Sequence, residues 1–205
     1  GLLIEGFDKL STFEEQYNYD YYGALIENCG YEKEVDWLEF RLRAPKEKNI
    51  MLSRVAERAL ELNRLHVVDS EKMSKREYID KFKDGIFDCL DRCYSHLYGT
   101  VPFTEKMKAQ LVDQFMLVIN KKYLIVICDE NEKVVSFAFC IPGIGTSVQK
   151  SGGRLTPSAI CKLLGAVKNP KTVDLALIGI LPEYQSSGIT AVMIDKMIQY
   201  LEEGD

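Results

Sequence analysis

The sequence predicts an α/β fold of the α+β kind, a central sheet flanked by helices. Three observations predict it. Residues 123–128 and 134–141 are nearly continuous apolar runs separated by the polar stretch Asp129-Glu130-Asn131-Glu132-Lys133, the pattern of a buried hairpin. Residues 75–98 carry Tyr78, Ile79, Phe82, Ile86, Phe87, Leu90, Cys93, Tyr94 and Leu97 at helical spacing. Residues 173–181 form a third apolar run, which passes through a Gly-containing turn into an amphipathic helix at 189–202.

The bulk numbers narrow the classes. With 205 residues, 46% of them hydrophobic, the chain can bury a sizeable core. A net charge of −5 disfavours wholesale binding to nucleic acid or an anionic membrane. No apolar run reaches the roughly 18 residues that span a bilayer. The start, Gly1-Leu2-Leu3-Ile4-Glu5-Gly6, lacks the basic flank of a signal peptide. The expected partners therefore include neither nucleic acid nor membrane, and the expected location is cytoplasmic. Six cysteines, at 29, 89, 93, 128, 140 and 161, form no Cys-x-x-Cys pair, and only His66 and His96 could add imidazole ligands. Reduced thiols and no metal site are expected.

The remaining elements follow in order. Residues 1–44 read as strand, helix, strand: the apolar run Leu2-Leu3-Ile4, a helix over 19–28 closed by Gly30, and the alternating stretch 35–42 as a half-buried strand with Trp37 in a core. Pro45-Lys46-Glu47-Lys48 is a polar break. Residues 49–62 read as a helix and 65–69 as a short strand. Gly99-Thr100-Val101-Pro102-Phe103 ends the long helix, and Thr104 caps another from Glu105 to about Val118. Gly143, Gly145 and the stretch Ser151-Gly152-Gly153-Arg154 read as a loop, followed by a helix over 157–167. Forty-four residues are too few for a core of their own, so 1–44 are expected to pack on the rest.

The turn after residue 181 carries the chemistry. A strand that enters a short loop and opens into a helix aims backbone N–H groups at one point, where the helix dipole adds about half a positive charge. Such a turn suits an anion like a diphosphate. Gly188 lets the backbone approach closely.

The string Ile180-Leu181-Pro182-Glu183-Tyr184-Gln185-Ser186-Ser187-Gly188-Ile189-Thr190 resembles the cofactor motif of the GNAT N-acetyltransferase superfamily. That motif reads apolar-x-Pro-x-Tyr-(Arg/Gln)-x-x-Gly-x-(Gly/Ala). Gln185 and Gly188 match it. Ser186 and Ser187 stand where the family commonly has Gly and Lys or Arg, and Thr190 where it has Gly or Ala. The element order from residue 65 onward is also similar to the family's, and within it to a group of uncharacterised bacterial tandem GNAT-like proteins. The shared features there are Val101-Pro102-Phe103-Thr104, an extra helix before the motif strand, and Gly179 to Tyr184.

The resemblance implies a GNAT-like acyl-CoA N-acyltransferase fold, with a mixed central sheet flanked by helices. Residues 1–44 resemble the closing strand-helix-strand elements of one repeat, 45–64 a linker helix, and 65–205 a domain up to the helix after the motif. Two readings stay open: a segment of a longer tandem protein, or a permuted domain whose first 44 residues complete the sheet.

The resemblance further implies transfer of an acyl group from acetyl-CoA, or another acyl-CoA, to a small-molecule amine by direct attack on the thioester. The pantetheine arm would run along the backbone of Ile178, Gly179 and Ile180, with Gly179 leaving room for the thioester. The diphosphate would meet Gln185, Ser186, Ser187, Gly188, Ile189, Thr190 and Ala191, the two serine hydroxyls serving as extra donors. Asp174 is the candidate base. Tyr19, Tyr21 or Tyr22 could act as acid only if residues 1–44 close the same sheet. Glu183 is expected in solvent. The alternatives are a GNAT-fold module without turnover, for acyl-CoA sensing or protein interaction, and a nucleotide-binding regulatory domain. The last lacks the acidic ribose partner and second glycine of a dinucleotide motif.

Overall fold

The computed structural model describes residues 1–12, 15–45, 47, 49–116, 118–154 and 156–202. Its helices are α1 (Tyr22–Asn28), α2 (Ile50–Asn63), α3 (Lys75–Tyr94), α4 (Glu105–Phe115), α5 (Gly145–Ser151), α6 (Pro157–Lys168) and α7 (Ile189–Glu202). Its strands are β1 (His66–Val67), β2 (Leu124–Cys128), β3 (Val134–Pro142) and β4 (Val173–Ile180). They form one antiparallel sheet in the order β1-β2-β3-β4. The α/β class holds at this level, but the sheet, expected to be mixed, is antiparallel at every pairing among the described residues.

The apolar runs of β2 and β3 lack polar alternation because both strands are buried along their whole length. Their turn is set by Asp129, whose carboxylate accepts from the N–H groups of Asn131 and Lys133, each at 2.9 Å. Side chains on β3 alternate between two helical layers. Ser136 and Cys140 reach Met193 and Met197 of α7. Phe137 and Phe139 face the opposite way, toward Cys89 of α3 and Phe115 of α4.

The helix α3 begins with a capping box between Ser74 and Glu77. Gly85 has a structural reason: a Cβ there would lie 2.7 Å from Val134 Cγ2, so the glycine lets α3 settle onto the start of β3. Tyr78 anchors the same helix by donating to the Leu124 carbonyl at 2.9 Å. On the other side, α2 lies against α7 through the small residues Ala56 and Ala59 and the contact of Ser53 with Asp195.

Several expectations are corrected. Residues 2–4 and 35–42 form no strand, and none of the described residues before β1 joins the sheet. The described part of 1–44 thus adds no strand to this sheet, unlike the permuted reading, and the rings of Tyr19, Tyr21 and Tyr22 pack on one another. None of the described residues before Ser53 is buried. Trp37, expected in a core, is 68% exposed. The segment touches the remainder at Leu10 and Ser11 beside Gly145, and at Glu34, which accepts from the Tyr98 hydroxyl. The stretch from Gly145 to Ser151, expected as loop, is α5. The long helix ends at Tyr94 rather than at 98. Leu117, placed in the last turn of the helix after Thr104, lies outside the described residues, as do Lys46 and Lys48 of the polar break and the end of the chain at 203–205. Among the described residues, no helix is long and apolar enough to cross a membrane.

Candidate functional site

The site is built on β4. This strand pairs with β3 alone, so its other edge faces no strand among the described residues. The register steps between Phe139–Leu177 and Cys140–Leu175, which makes Ala176 an extra, bulged residue on β4. Past that bulge the ladder runs through Gly179, opposite Phe137, to Leu181, whose N–H bonds to the Val135 carbonyl at 3.0 Å. The alternation of an antiparallel ladder turns the backbone groups of Ile178 and Ile180 toward the open edge.

Both backbone groups of Ile178 and the carbonyl of Ile180 already have partners, drawn mainly from the last turn of α3. The Tyr94 hydroxyl donates to the Ile178 carbonyl at 3.0 Å and accepts from the Ile178 N–H at 3.4 Å. The Cys93 thiol donates to the Ile180 carbonyl at 3.1 Å, and Gln185 Nε2 reaches the same oxygen at 3.4 Å. Burial raises the pKa of Cys93, so the thiol form that can donate is favoured. Sequence spacing placed Cys93 and Tyr94 merely on the apolar face of a helix. Nothing in the local pattern signals that their polar ends meet a strand edge.

Gly179 serves a different purpose from the one the motif suggests. A Cβ at this position would sit 2.7 Å from Phe137 Cε1 and 3.4 Å from Cys89 Sγ. The missing side chain makes room for an aromatic ring inside the protein.

Asp174 lies near the start of β4, opposite Ile141. Burial raises its pKa, the direction a general base needs. Its position is less favourable. Four residues separate it from Ile178 and six from Ile180, roughly 13 and 20 Å along an extended strand. Direct proton transfer at Ile180 is out of reach, and transfer near Ile178 requires bridging water.

The turn after β4 is tight and asymmetric. Pro182–Tyr184 form a 3₁₀ turn, with the Tyr184 N–H on the Leu181 carbonyl at 2.8 Å. Ser186 then takes a left-handed φ of 63° and Gly188 one of 86°. A glycine at the Ser186 position would meet this backbone requirement without strain. Ser187 donates its hydroxyl to the Tyr184 carbonyl, so it is not the free donor expected from sequence. Among the described residues, the N–H groups of Gly188, Ile189 and Thr190 find no acceptor, whereas Ala191 N–H bonds to the Gly188 carbonyl at 3.0 Å. Ile189 sends its side chain into the core and fixes the first turn of α7.

Two guanidinium groups border this turn. Arg54, Val55, Arg58, Ala59 and Leu62 of α2 line a groove with Ser186, Ser187 and Gly188. Arg58 makes an exposed pair with Glu61 at 3.6 Å, and Arg54 has no hydrogen bond or ion pair among the described residues. Their spacing of four on one helix face is the signal the sequence reading passed over. Glu183, expected in solvent, receives a forked bond from Arg92 at 2.9 and 3.0 Å, which ties α3 to the turn. Its own backbone N–H and this guanidinium hold its carboxyl below the ordinary value. Among the described residues, no three His, Cys, Asp or Glu side chains gather as a metal-binding group.

Comparison with known proteins gives two distant relatives. The chain is 26% identical to protein YghO of Escherichia coli (strain K12) over 208 residues, covering 99% of this chain and 51% of that protein. It is 24% identical to the bacterial ceramide synthase of Caulobacter vibrioides (strain NA1000 / CB15N) over 189 residues, covering 91% of this chain and 48% of that protein. The chain thus spans about half the length of the curated relatives it matches. No protein-family model and no solved structure matches it.

Proposed function

We propose that this chain is part of a GNAT-type N-acyltransferase that moves an acyl group from acetyl-CoA, or another acyl-CoA, to the amine of a small molecule. The observation that carries the reading is the union of an edge strand with a turn that leaves three backbone N–H groups open beside two arginines. Open amides at a helix start suit a diphosphate, and guanidinium groups add charge-assisted bonds to its oxygens. The name of one relative agrees in bond type: a ceramide is an amide of an acyl chain with an amino alcohol.

The residues fit such a ligand at the turn. Gly188, Ile189 and Thr190 would supply N–H groups, Arg54 and Arg58 positive charge, and the edge of β4 at Ile178 and Ile180 the backbone path for an extended arm. The bound thioester supplies an activated acyl group. A backbone N–H near Ile180 would polarise its carbonyl. Tyr94, whose hydroxyl donates to the Ile178 carbonyl, would give the proton to the departing thiolate. Asp174 stays the candidate base, but at roughly 13 Å of strand from Ile178 it would need a chain of waters to take the amine proton.

A second reading is supported by the same geometry. Tyr94 holds both polar groups of Ile178, and the one carboxylate on β4 stands well back from the edge. A module that binds acyl-CoA without turnover needs only the turn.

Thermal shift with acetyl-CoA, a long-chain acyl-CoA, CoA and ATP tests the reading. The CoA ligands should raise the melting temperature and ATP should not, since a ligand stabilises the state it binds. No shift with any CoA ligand at millimolar concentration overturns it. Thiol release with a panel of amines then separates enzyme from sensor.

A further inference from the structure

We propose that the last turn of α3 is an autoinhibitory plug. The Tyr94 phenol and the Cys93 thiol stand in for a bound ligand along the edge of β4, and an extended thioester arm enters only by turning them aside. The identity of the arm rests on the acyltransferase reading, whereas the occupied edge does not.

A strand edge offers its outward N–H and C=O groups to whatever extended chain comes alongside. On β4 three such groups are taken. Tyr94 is bonded to the carbonyl of Ile178 at 3.0 Å and to its N–H at 3.4 Å, and Cys93 Sγ to the carbonyl of Ile180 at 3.1 Å. Two successive residues of a helix thus cover alternate residues of a strand. An arm that carries amides would bond to the same groups, so plug and arm cannot share the edge. Binding then exchanges hydrogen bonds instead of adding them. The affinity for the arm falls with the fraction of molecules whose edge is open. The nucleotide end of the donor, which meets the turn at Gly188, carries no such penalty.

The plug is built to open at its side chains. Tyr94, Cys93, Ile178 and Ile180 are all half-buried, within reach of solvent. A thiol is a weak donor, and the bond from the Ile178 N–H is long for its kind. Gln185 Nε2, the second donor to the Ile180 carbonyl, is equally long at 3.4 Å and comes from the turn itself. The backbone behind the plug is held. Arg92 forks onto Glu183 of the turn at 2.9 and 3.0 Å, and the Thr100 hydroxyl donates to the carbonyls of Tyr94 and Leu97 at 2.8 and 2.9 Å. Opening is therefore a rotation of two side chains on a fixed helix end, and the displaced phenol stays beside the edge it has left.

Amide hydrogen exchange read by NMR tests the plug without any ligand. In Tyr94→Phe the Ile178 N–H should exchange about 10-fold or more faster than in the parent, while the Leu181 N–H, bonded to Val135 inside the ladder, should not change. Equal rates at Ile178 overturn the proposal whatever CoA does. Calorimetric titration then compares CoA with 3′-phosphoadenosine 5′-diphosphate, the same nucleotide without the arm. Tyr94→Phe and Cys93→Ala should each bind CoA about 3–10-fold more tightly than the parent, the worth of one net hydrogen bond, and bind the armless nucleotide as the parent does. Cys93→Ser keeps a donor and should match the parent with both ligands. Unchanged or weaker CoA binding in both Tyr94→Phe and Cys93→Ala would make these side chains bystanders or part of the arm's own site, and overturns the plug. If none of the proteins binds CoA while exchange at Ile178 still quickens, the acyltransferase reading falls and the arm falls with it.

Discussion

The Tyr94 hydroxyl is bonded to both polar groups of one residue, donating to the Ile178 carbonyl at 3.0 Å and accepting from its N–H at 3.4 Å. One side chain thereby imitates what a neighbouring strand or an extended ligand would do at that edge. A ligand arm reaching Ile178 must displace the phenol, which leaves the hydroxyl beside the reacting atoms. Tyr94→Phe should therefore reduce acyl-CoA turnover by about 10²–10⁴-fold, the range for loss of a general acid. The loss should shrink with a thioester whose thiol is acidic, because that leaving group needs no proton. Thermal shift by CoA should persist. Equal losses for both thioesters would leave Tyr94 a positioning role only.

Ser186 and Gly188 share a left-handed backbone but not the freedom to adopt it. A non-glycine residue at positive φ is strained by about 1 kcal/mol or more. Ser186→Gly should raise the melting temperature by about 2–4 °C. Gly188→Ala should do the reverse, since its Cβ would also lie 3.0 Å from Ala59 Cβ. It should also weaken the shift produced by CoA. Differential scanning calorimetry with and without CoA reads both effects.

The parts legible in sequence were those governed by local periodicity. The two runs of β2 and β3, the motif strand and the stripes of α2, α3 and α7 fall close to where spacing puts them. The stretch 35–42 has an equally clear period of two, yet period alone supplies no neighbour, and a strand without a ladder is not formed. Gly145, Gly152 and Gly153 suggested a loop, but the last two sit just beyond the end of α5 at left-handed φ, where glycine closes a helix. At the site, the turn and Gly188 could be read because a backbone requirement leaves its mark on residue type. Tyr94, Cys93, Arg54 and Arg58 could not, because what they touch lies 84 or more positions away along the chain.

Gly179 and Phe137 face each other across the β3–β4 ladder, and the ring fills the place of a Cβ. Gly179→Ala should cost about 1–3 kcal/mol through overpacking. Phe137→Leu should relieve much of that cost in the double variant, although it creates a void alone. Urea denaturation of the two singles and the double gives the coupling, and strict additivity would refute the contact.

Asp174 carries a pH prediction. Burial sets its folded pKa above the ordinary 3.8. Between the two values the folded state binds more protons than the unfolded one, so stability from this group falls as pH rises from about 3.8 through the folded pKa. Asp174→Asn lacks that fall. Its stability relative to the parent should increase from pH 3.5 to pH 7, measured as the difference in urea midpoints. If Asp174 takes the amine proton through water, the same variant should also lose the acidic limb of the pH–rate profile. Retention of that limb would confine the residue to a structural role.

Asp195 holds the two helices that frame the groove. Its carboxylate is buried, accepting from Ser53 Oγ of α2 at 2.7 Å and from Gln199 Nε2 of its own helix at 2.6 Å. Removing the acceptor leaves the Ser53 hydroxyl only its longer 3.4 Å bond to the Asn49 carbonyl and takes away the partner of Gln199 Nε2, which costs about 1–3 kcal/mol. Asp195→Ala should therefore destabilise more than Ser53→Ala, and the double variant should cost less than the sum of the two. Because α2 carries Arg54 and Arg58 to the turn at Gly188, the Asp195 variant should also weaken CoA binding while leaving those arginines intact. Calorimetric titration of the folded variant below its melting point checks this, and unchanged affinity would show that the turn binds without help from α2.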